Sequence, residues 1–320
     1  INRKMSDKSA SEEFTEIEII VPWGKIAGKW WGPSNVQPIL FLHGWLDNAG
    51  TFDTLIPLLP KDHFSYLAID LPGHGLSSHI PEGMTYSHYD FVWTIYRIQS
   101  IYGWPKVSLI GHSLGGILSF LYAGLFPDRV EMIVTLDSLK PITDSEFLVD
   151  LLRSSMSRLS LEIKNHRSTK TQPAYTKEEL VVRMQQSTYD SLSPEDCTYL
   201  FRRGIKESSN QPDKFALRSD GRIKVIHVMS FSLENSVELI KQIKCPVLYI
   251  RAERKTKDTP VITAKELKRE EIMEVFKKRN KHFHYVVVDG KHHVHLSDPK
   301  CIAGMVSDFI VEYCKPSCKI

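Results

Sequence analysis

The serine best placed for chemistry is Ser113, within the stretch GHSLGG at 111–116. An apolar run at 106–110 precedes this stretch and another at 117–126 follows it, so the pattern predicts a strand, a tight turn and a buried helix. Such a turn leaves no space for a Cβ atom two residues before or after the serine, and Gly111 and Gly115 occupy those positions. A strand, a G-x-S-x-G turn and a helix form a nucleophile elbow, which predicts that Ser113 is a nucleophile raised above the edge of a sheet.

A nucleophilic serine needs a base within hydrogen-bond reach, and histidine most often has this role. The chain has thirteen histidines. We favour His292, in DGKHHVH at 289–295, because it follows the last predicted strand, where the chain order serine, acid, histidine places the base. Gly290, two residues earlier, is typical of such a loop. His293 and His295 are alternatives, but packing and loop hydrogen bonds explain them more simply.

The acid that would orient the base has two nearly equal candidates. One arrangement takes it from the loop after the seventh predicted strand, where the usual position falls on Lys255 and Asp258 comes late. Glu253 comes early in that loop and ranks third. A second arrangement takes the acid directly after the sixth predicted strand, where Asp137 stands, although an aspartate there could simply cap the turn. The residues give a slight preference for Asp137 over Asp258 and leave both open.

Acyl transfer also needs two N–H groups aimed at the charge that develops on the substrate oxygen. Leu114, directly after the serine, is predicted to supply one from the unpaired start of the helix. Trp45, which follows His43 and Gly44 at the end of the third predicted strand, is predicted to supply the other. His74, in a turn-rich loop after the fourth strand, is interpreted as scaffold.

The elements that would bring these residues together alternate between strands and helices. A hairpin is predicted at 17–21 and 25–31, strands at 38–42, 64–69, 106–110, 131–136, 246–250 and 283–288, and helices at 52–59, 87–102, 117–126 and 300–313. This alternation indicates a mostly parallel sheet with helices on both faces.

With the elbow, this organisation predicts the α/β-hydrolase fold. From 139 to 227 the pattern breaks, because the chain becomes polar and helical and its only strand-like run is 223–228. We therefore expect a core domain formed by 1–138 and 229–320, and a helical cap at 139–228 inserted after the sixth strand.

The composition limits the classes of function. The 41 basic and 38 acidic residues nearly balance, and the chain has no basic block typical of nucleic-acid binding. No apolar run reaches the length of a membrane span. We therefore expect a small-molecule substrate, and the sequence does not indicate an oligomeric state.

The cysteines and the C-terminal tripeptide bear on the compartment. The five cysteines are scattered without metal-type pairs, which favours a reducing compartment, although Cys314 and Cys318 could form a disulfide. The last three residues, Cys318-Lys319-Ile320, are similar to the Ser-Lys-Leu peroxisomal signal. The expected location is intracellular, in the cytoplasm or the peroxisome.

Several stretches resemble the serine hydrolase-like proteins, a eukaryotic family of α/β-hydrolases. They are VPWG at 21–24, HGWLDNA at 43–49, FD at 52–53, LIPLLP at 55–60 and GHGLSSH at 73–79, together with the elbow and the His292 loop. The resemblance covers the catalytic sheet and implies a cofactor-free serine hydrolase. It does not choose between Asp137 and Asp258, since both look like family positions.

The combined expectation is an esterase-like hydrolase that acts on an apolar small-molecule acyl compound without metal or cofactor. Ser113 would attack the carbonyl carbon, His292 would transfer the proton, and water would release the acid from the acyl-enzyme. The alternatives are a ligand-binding protein with a vestigial triad, or a cofactor-free oxygenase or luciferase-like enzyme. The unusual position of the acid favours the first alternative.

Overall fold

The structure, a computed structural model, describes residues 14–139, 148–167, 173–225, 231–253 and 264–315. Among these residues, eight strands form the main sheet in the order β1-β2-β4-β3-β5-β6-β9-β10. The first two strands and β4 pair antiparallel, and all other neighbours pair parallel. The strands are β1 (Phe14–Val21), β2 (Gly24–Trp31), β3 (Ile39–Leu42), β4 (Tyr66–Ile69), β5 (Val107–His112), β6 (Val130–Leu136), β9 (Val247–Glu253) and β10 (Phe283–Asp289).

Side-chain alternation along the central strands separates two buried apolar layers. In β3, Leu40 and Leu42 belong to one layer, whereas Ile39 and Phe41 belong to the other. All four are almost completely buried, as is typical of a parallel strand covered on both faces.

Helices cover both layers. The first layer packs against α1 (His88–Tyr102), α2 (Leu114–Leu125), α6 (Leu233–Gln242) and α7 (Ala264–Arg279). The second packs against α8 (Val294–Ser297), α9 (Lys300–Tyr313) and two short 3-10 turns, Ala49–Phe52 and Ile56–Leu58. The mostly parallel sheet with helices on both faces, predicted from the sequence, is therefore confirmed.

One local prediction was wrong. The helix expected at 52–59 is replaced by the two 3-10 turns, because Pro57 and Pro60 remove backbone donors and restrict the chain. The strand-like run at 223–228 is a 3-10 turn over Gly221–Val225, and its last residues lie outside the described ones.

The segment between β6 and β9 contains further elements before α6. They are α3 (Leu148–Arg167), α4 (Lys177–Ser187), α5 (Pro194–Gly204) and a small antiparallel pair, β7 (Ile205–Glu207) and β8 (Phe215–Leu217). The pair was not predicted, since strands this short carry little periodicity. Leu180, Leu192 and Leu200 pack in a separate apolar cluster that also contains Leu296, which follows β10. The segment thus has a small core of its own, attached beside the His292 loop.

No helix within the described ranges is both long and apolar enough to cross a membrane. Cys197, Cys245, Cys301 and Cys314 form no disulfide. Cys318 and the tripeptide Cys318-Lys319-Ile320 lie outside the described residues.

Candidate active site

The strained residue of the elbow is Ser113. It has φ 49° and ψ −112°, between the end of β5 and the start of α2. An added Cβ on Gly111 would lie 2.1 Å from the Gly115 carbonyl oxygen, and one on Gly115 would lie 1.9 Å from the Leu42 carbonyl oxygen. Both distances are far below van der Waals contact, so these glycines allow the turn. The Ser113 N–H donates to the Leu136 oxygen at 3.0 Å, which fixes the elbow to the end of β6.

The His292 imidazole pairs with the Asp137 carboxylate. Asp137 Oδ2 lies 2.6 Å from His292 Nδ1, while Asp137 Oδ1 accepts the Ala252 N–H at 2.8 Å. The Asp137 N–H donates to the Ile250 oxygen at 2.7 Å, so this residue also connects β6 to β9. Backbone and side chain therefore hold the carboxylate in one orientation, with one oxygen directed at the imidazole.

The other two acids that the sequence left open are Asp258 and Glu253. Asp258 lies outside the described residues. Glu253 Oε1 instead accepts a hydrogen bond from Arg251 at 3.1 Å. Of the acids considered, the structure thus brings Asp137 together with the His292 ring.

The neighbouring histidines are buried, whereas the His292 side chain is 40% exposed. His293 Nδ1 lies 2.6 Å from Ser191 Oγ, and His295 Nε2 lies 2.8 Å from Thr51 Oγ1. Burial holds the pKa of His295 well below its ordinary value, so its ring is neutral at pH 7. These contacts agree with the packing interpretation of both residues.

The loop that carries Trp45 is held by two buried histidines. His43 Nδ1 donates to the Gly44 oxygen at 2.7 Å, and His43 Nε2 accepts the Leu71 N–H at 2.9 Å. His74 Nε2 accepts the Leu46 N–H at 3.3 Å, and burial lowers the pKa of His74 to about 3. Neutral imidazoles therefore fix this loop, and His74 has the scaffold contacts that the sequence suggested.

Of the two residues predicted for the oxyanion hole, Leu114 directly follows the serine, and Trp45 lines the same cavity as the serine. Leu114 is the first residue of α2, where helix N–H groups have no partner within the helix. The Trp45 side chain is half exposed, and its Nε1 donates to the Ile223 oxygen at 2.9 Å. The loop of Trp45 is thus tied to the segment between β6 and β9.

Sequence reasoning missed two buried residues, Asp47 and His112. Asp47 Oδ2 lies 3.5 Å from His112 Nδ1 and 3.3 Å from His293 Nε2. Burial alone would raise the pKa of Asp47, but the nearby imidazoles hold it well below its ordinary value. Burial lowers the pKa of His112 to about 4, and its Nε2 donates to the His292 oxygen at 2.9 Å.

These residues were hard to identify because they lie at the ends of three different strands, far apart in the sequence. Asp47 follows β3, His112 ends β5 and His293 follows β10. The available sequence signal was that each residue lies at or just after the carboxyl end of a predicted strand. The three residues are far apart in the sequence, so they form no short motif.

A cavity of about 500 Å³ opens above these residues. Ser113 and His292 line it from the core, together with Trp45. Its other side includes Ser187, Thr188, Tyr189 and Ser191, from the segment between β6 and β9. The lining combines serine, threonine, lysine and histidine side chains with the rings of Trp45 and Tyr189. The cavity brings the serine, the paired histidine and this segment to one place.

The comparisons with known proteins agree with this geometry. Residues 37–299 match the family model of the α/β hydrolase fold. A "Probable serine hydrolase" of Drosophila melanogaster is 36% identical over 304 residues, which cover 94% of this chain and 89% of that protein. "Serine hydrolase-like protein 2" of Homo sapiens is 32% identical over 309 residues, which cover 96% of this chain and 97% of that protein.

A solved structure has the same architecture. It is a hypothetical protein of Pseudomonas aeruginosa PAO1, with a TM-score of 0.77 and 27% sequence identity, and the match covers 95% of this chain and 100% of that chain. Family model, relatives and fold agree with the hydrolase fold predicted from the elbow. The chain therefore belongs to the serine hydrolase-like proteins of the α/β-hydrolase superfamily.

Proposed function

We propose that this chain is a cofactor-independent serine hydrolase that cleaves a small carboxyl ester or related acyl compound. Membership of the family supports hydrolase activity in general. The observation that carries the proposal is the 2.6 Å contact between Asp137 and His292 beside a cavity that both Ser113 and His292 line. Nucleophile, base and orienting acid are the three parts that acyl transfer requires.

The reaction has two steps. His292 takes the proton of the Ser113 hydroxyl as its oxygen attacks the carbonyl carbon, and the N–H groups of Leu114 and Trp45 stabilise the oxyanion. The carbon–leaving-group bond breaks, and the leaving group takes the proton from His292. Water then attacks the acyl-enzyme with the same histidine as base, and release of the carboxylic acid restores the Ser113 hydroxyl.

Asp137 is the acid in this proposal. Its Oδ2 accepts the Nδ1–H of His292, so that Nε2 carries the lone pair that receives the serine proton. The carboxylate also stabilises the imidazolium that forms in the transition state. Asp258 is the alternative from the sequence, and it is tested below.

The segment at 139–228 is proposed to act as a cap that selects the substrate. Its residues at 187–191 form one side of the cavity, and the Trp45 indole is tied to Ile223 on the same segment. The rings of Trp45 and Tyr189 offer surface for an apolar acyl group. A series of p-nitrophenyl esters of increasing acyl length measures this preference directly.

The test is labelling by a fluorophosphonate probe, which requires an activated serine. We expect the native chain to be labelled and Ser113→Ala to be inert. Ser187→Ala is the matched control, because Ser187 lines the same cavity and its hydroxyl bonds only the Met184 oxygen among its described contacts. This control is expected to label like the native chain.

Two outcomes would contradict the proposal. Absence of labelling in folded native protein would favour a ligand-binding protein with a vestigial triad. Labelling that survives in Ser113→Ala would place the reactive hydroxyl elsewhere.

A further inference from the structure

A buried cluster beside the proposed triad combines one carboxylate with two imidazoles. Asp47, His112 and His293 are 5%, 1% and 4% exposed, respectively. One possible ligand atom from each of the three side chains lies within 4.8 Å of the other two. The three residues lie at or just after the carboxyl ends of three strands.

Each imidazole of the cluster has one ring nitrogen that faces Asp47, on the inner side, and one that faces away from it, on the outer side. The hydrogen bonds of the outer nitrogens determine which nitrogen of each ring carries the proton. His112 Nε2 must carry a proton, because its partner at 2.9 Å is the His292 carbonyl oxygen, which can only accept. In the neutral ring, His112 Nδ1 is then a lone pair that faces Asp47. His293 Nδ1 lies 2.6 Å from Ser191 Oγ, which can accept its proton and direct the His293 Nε2 lone pair inward.

The inner side of the cluster lacks hydrogen-bond partners. Among the residues that the structure describes, Asp47 Oδ2 and His112 Nδ1 are buried atoms without any. Buried polar atoms are nearly always paired, and a carboxylate oxygen and a ring nitrogen that face each other are both positioned to bind a cation. The arrangement resembles metal sites in which each histidine bonds a protein acceptor through its second ring nitrogen.

The distances fit a small ion. Metal bonds of about 2.0–2.1 Å in tetrahedral geometry place neighbouring ligand atoms about 3.3 Å apart. Asp47 Oδ2 lies 3.3 Å from His293 Nε2 and 3.5 Å from His112 Nδ1. Two imidazole nitrogens favour zinc and similar transition metals over the oxygen-preferring magnesium or calcium.

We propose that Asp47, His112 and His293 form a binding site for a divalent transition-metal ion such as Zn²⁺. The three side chains provide three ligands, and the cavity that they line leaves the fourth position to water or another ligand. The site is separate from the Asp137–His292 pair and does not depend on the proposed hydrolysis. It lies close enough that an ion there would face the cavity of Ser113.

Cobalt is a suitable probe, because four-coordinate Co²⁺ has strong visible absorption. The full chain, freed of metal by a chelator, is titrated with Co²⁺, and Zn²⁺ is then added in competition. We expect one Co²⁺ per chain with four-coordinate absorption, displaced by Zn²⁺. Asp47→Asn and His293→Gln each remove a ligand and should weaken binding by about 100-fold or more, because loss of an outer-shell partner alone costs about 10–100-fold.

His292→Gln is the matched control, since it removes a neighbouring imidazole of the same cavity that is not a ligand in this proposal. It should bind Co²⁺ with native affinity. Circular dichroism reports the folding of each variant. If a ligand variant does not fold, Ser191→Ala keeps all three ligands and should still weaken binding by about 10-fold.

Three results would overturn the proposal. The first is native protein that binds Co²⁺ no more tightly than His293→Gln. The second is binding that His292→Gln abolishes, which would place the ion on the proposed triad. The third is a thiolate charge-transfer band, which would place it on cysteine.

Discussion

Asp137→Asn tests the proposed acid with a change of only one atom. Asp137 Oδ1 accepts the Ala252 N–H at 2.8 Å, so the asparagine oxygen must keep that position. Its amide nitrogen then faces His292 Nδ1, where Oδ2 stood at 2.6 Å. An NH₂ group donates to Nδ1, and the imidazole proton moves to Nε2. The ring can then no longer accept the proton of Ser113.

The expected magnitude is that of a wrong imidazole tautomer in an otherwise intact triad, a loss of about 10⁴-fold in kcat. This loss corresponds to about 5.4 kcal/mol of transition-state stabilisation. The free energy of unfolding should change little, because the bond to Ala252 is kept. The combination of a large catalytic loss and preserved stability is specific to a tautomer effect.

The assay measures kcat on a p-nitrophenyl ester, the rate of fluorophosphonate labelling and the midpoint of thermal unfolding. Asp258→Asn and Glu253→Gln are the matched controls, since they neutralise the two other acids considered. Both should keep kcat within about 3-fold of the native value, as expected for groups outside the triad. The reasoning is refuted if Asp137→Asn stays within about 10-fold of native while Asp258→Asn loses about 10³-fold or more.

In urea unfolding, Gly115→Ala should lose about 3 kcal/mol or more of stability, because its Cβ would meet a β3 carbonyl oxygen at 1.9 Å. Gly304→Ala is the control, since the space around Gly304 is open. It should be neutral or more stable by about 0.5–1 kcal/mol. Burial depresses the pKa of His74 to about 3, so the unfolded chain binds more protons below pH about 6.5, and the free energy of unfolding falls as pH decreases. His74→Asn should therefore reduce the slope of unfolding free energy between pH 5 and 6 by about 1.4 kcal/mol per pH unit, and an unchanged slope would contradict a neutral buried ring. Trp45→Phe removes the bond to the Ile223 oxygen and should cost about 1 kcal/mol in thermal unfolding, with no loss expected if that bond is absent in solution.

The sheet and the elbow could be predicted because their signals are local. A short continuous apolar run such as Ile39–Leu42 is typical of a buried parallel strand. The two elbow glycines follow from the space that one tight turn leaves, and the distances around Gly111 and Gly115 agree with that argument. Such features depend on a few consecutive residues and not on the rest of the chain.

The sequence left Asp137 and Asp258 open because α/β-hydrolases can take the acid from either of two loops. The positive φ of Asp137 and its backbone bond to Ile250 direct its side chain, and neither has a sequence signature. The short β7–β8 pair was missed for a related reason. Three-residue strands are stabilised by their contacts and show no periodicity of their own.

The abundance of histidine was the main obstacle to identifying the base, and the structure gives a physical reason for it. A neutral imidazole both donates and accepts, so it can connect backbone groups of two loops while buried. His43 and His74 do this for the loop of Trp45, and His112 holds the carbonyl of His292. Each of these three rings has a pKa lowered by burial and stays neutral at pH 7. Neutral rings hold the loops of the proposed oxyanion hole and base in place. The same rings make the fold sensitive to acid, since protonation of His43 or His74 would break the hydrogen bond that its ring accepts.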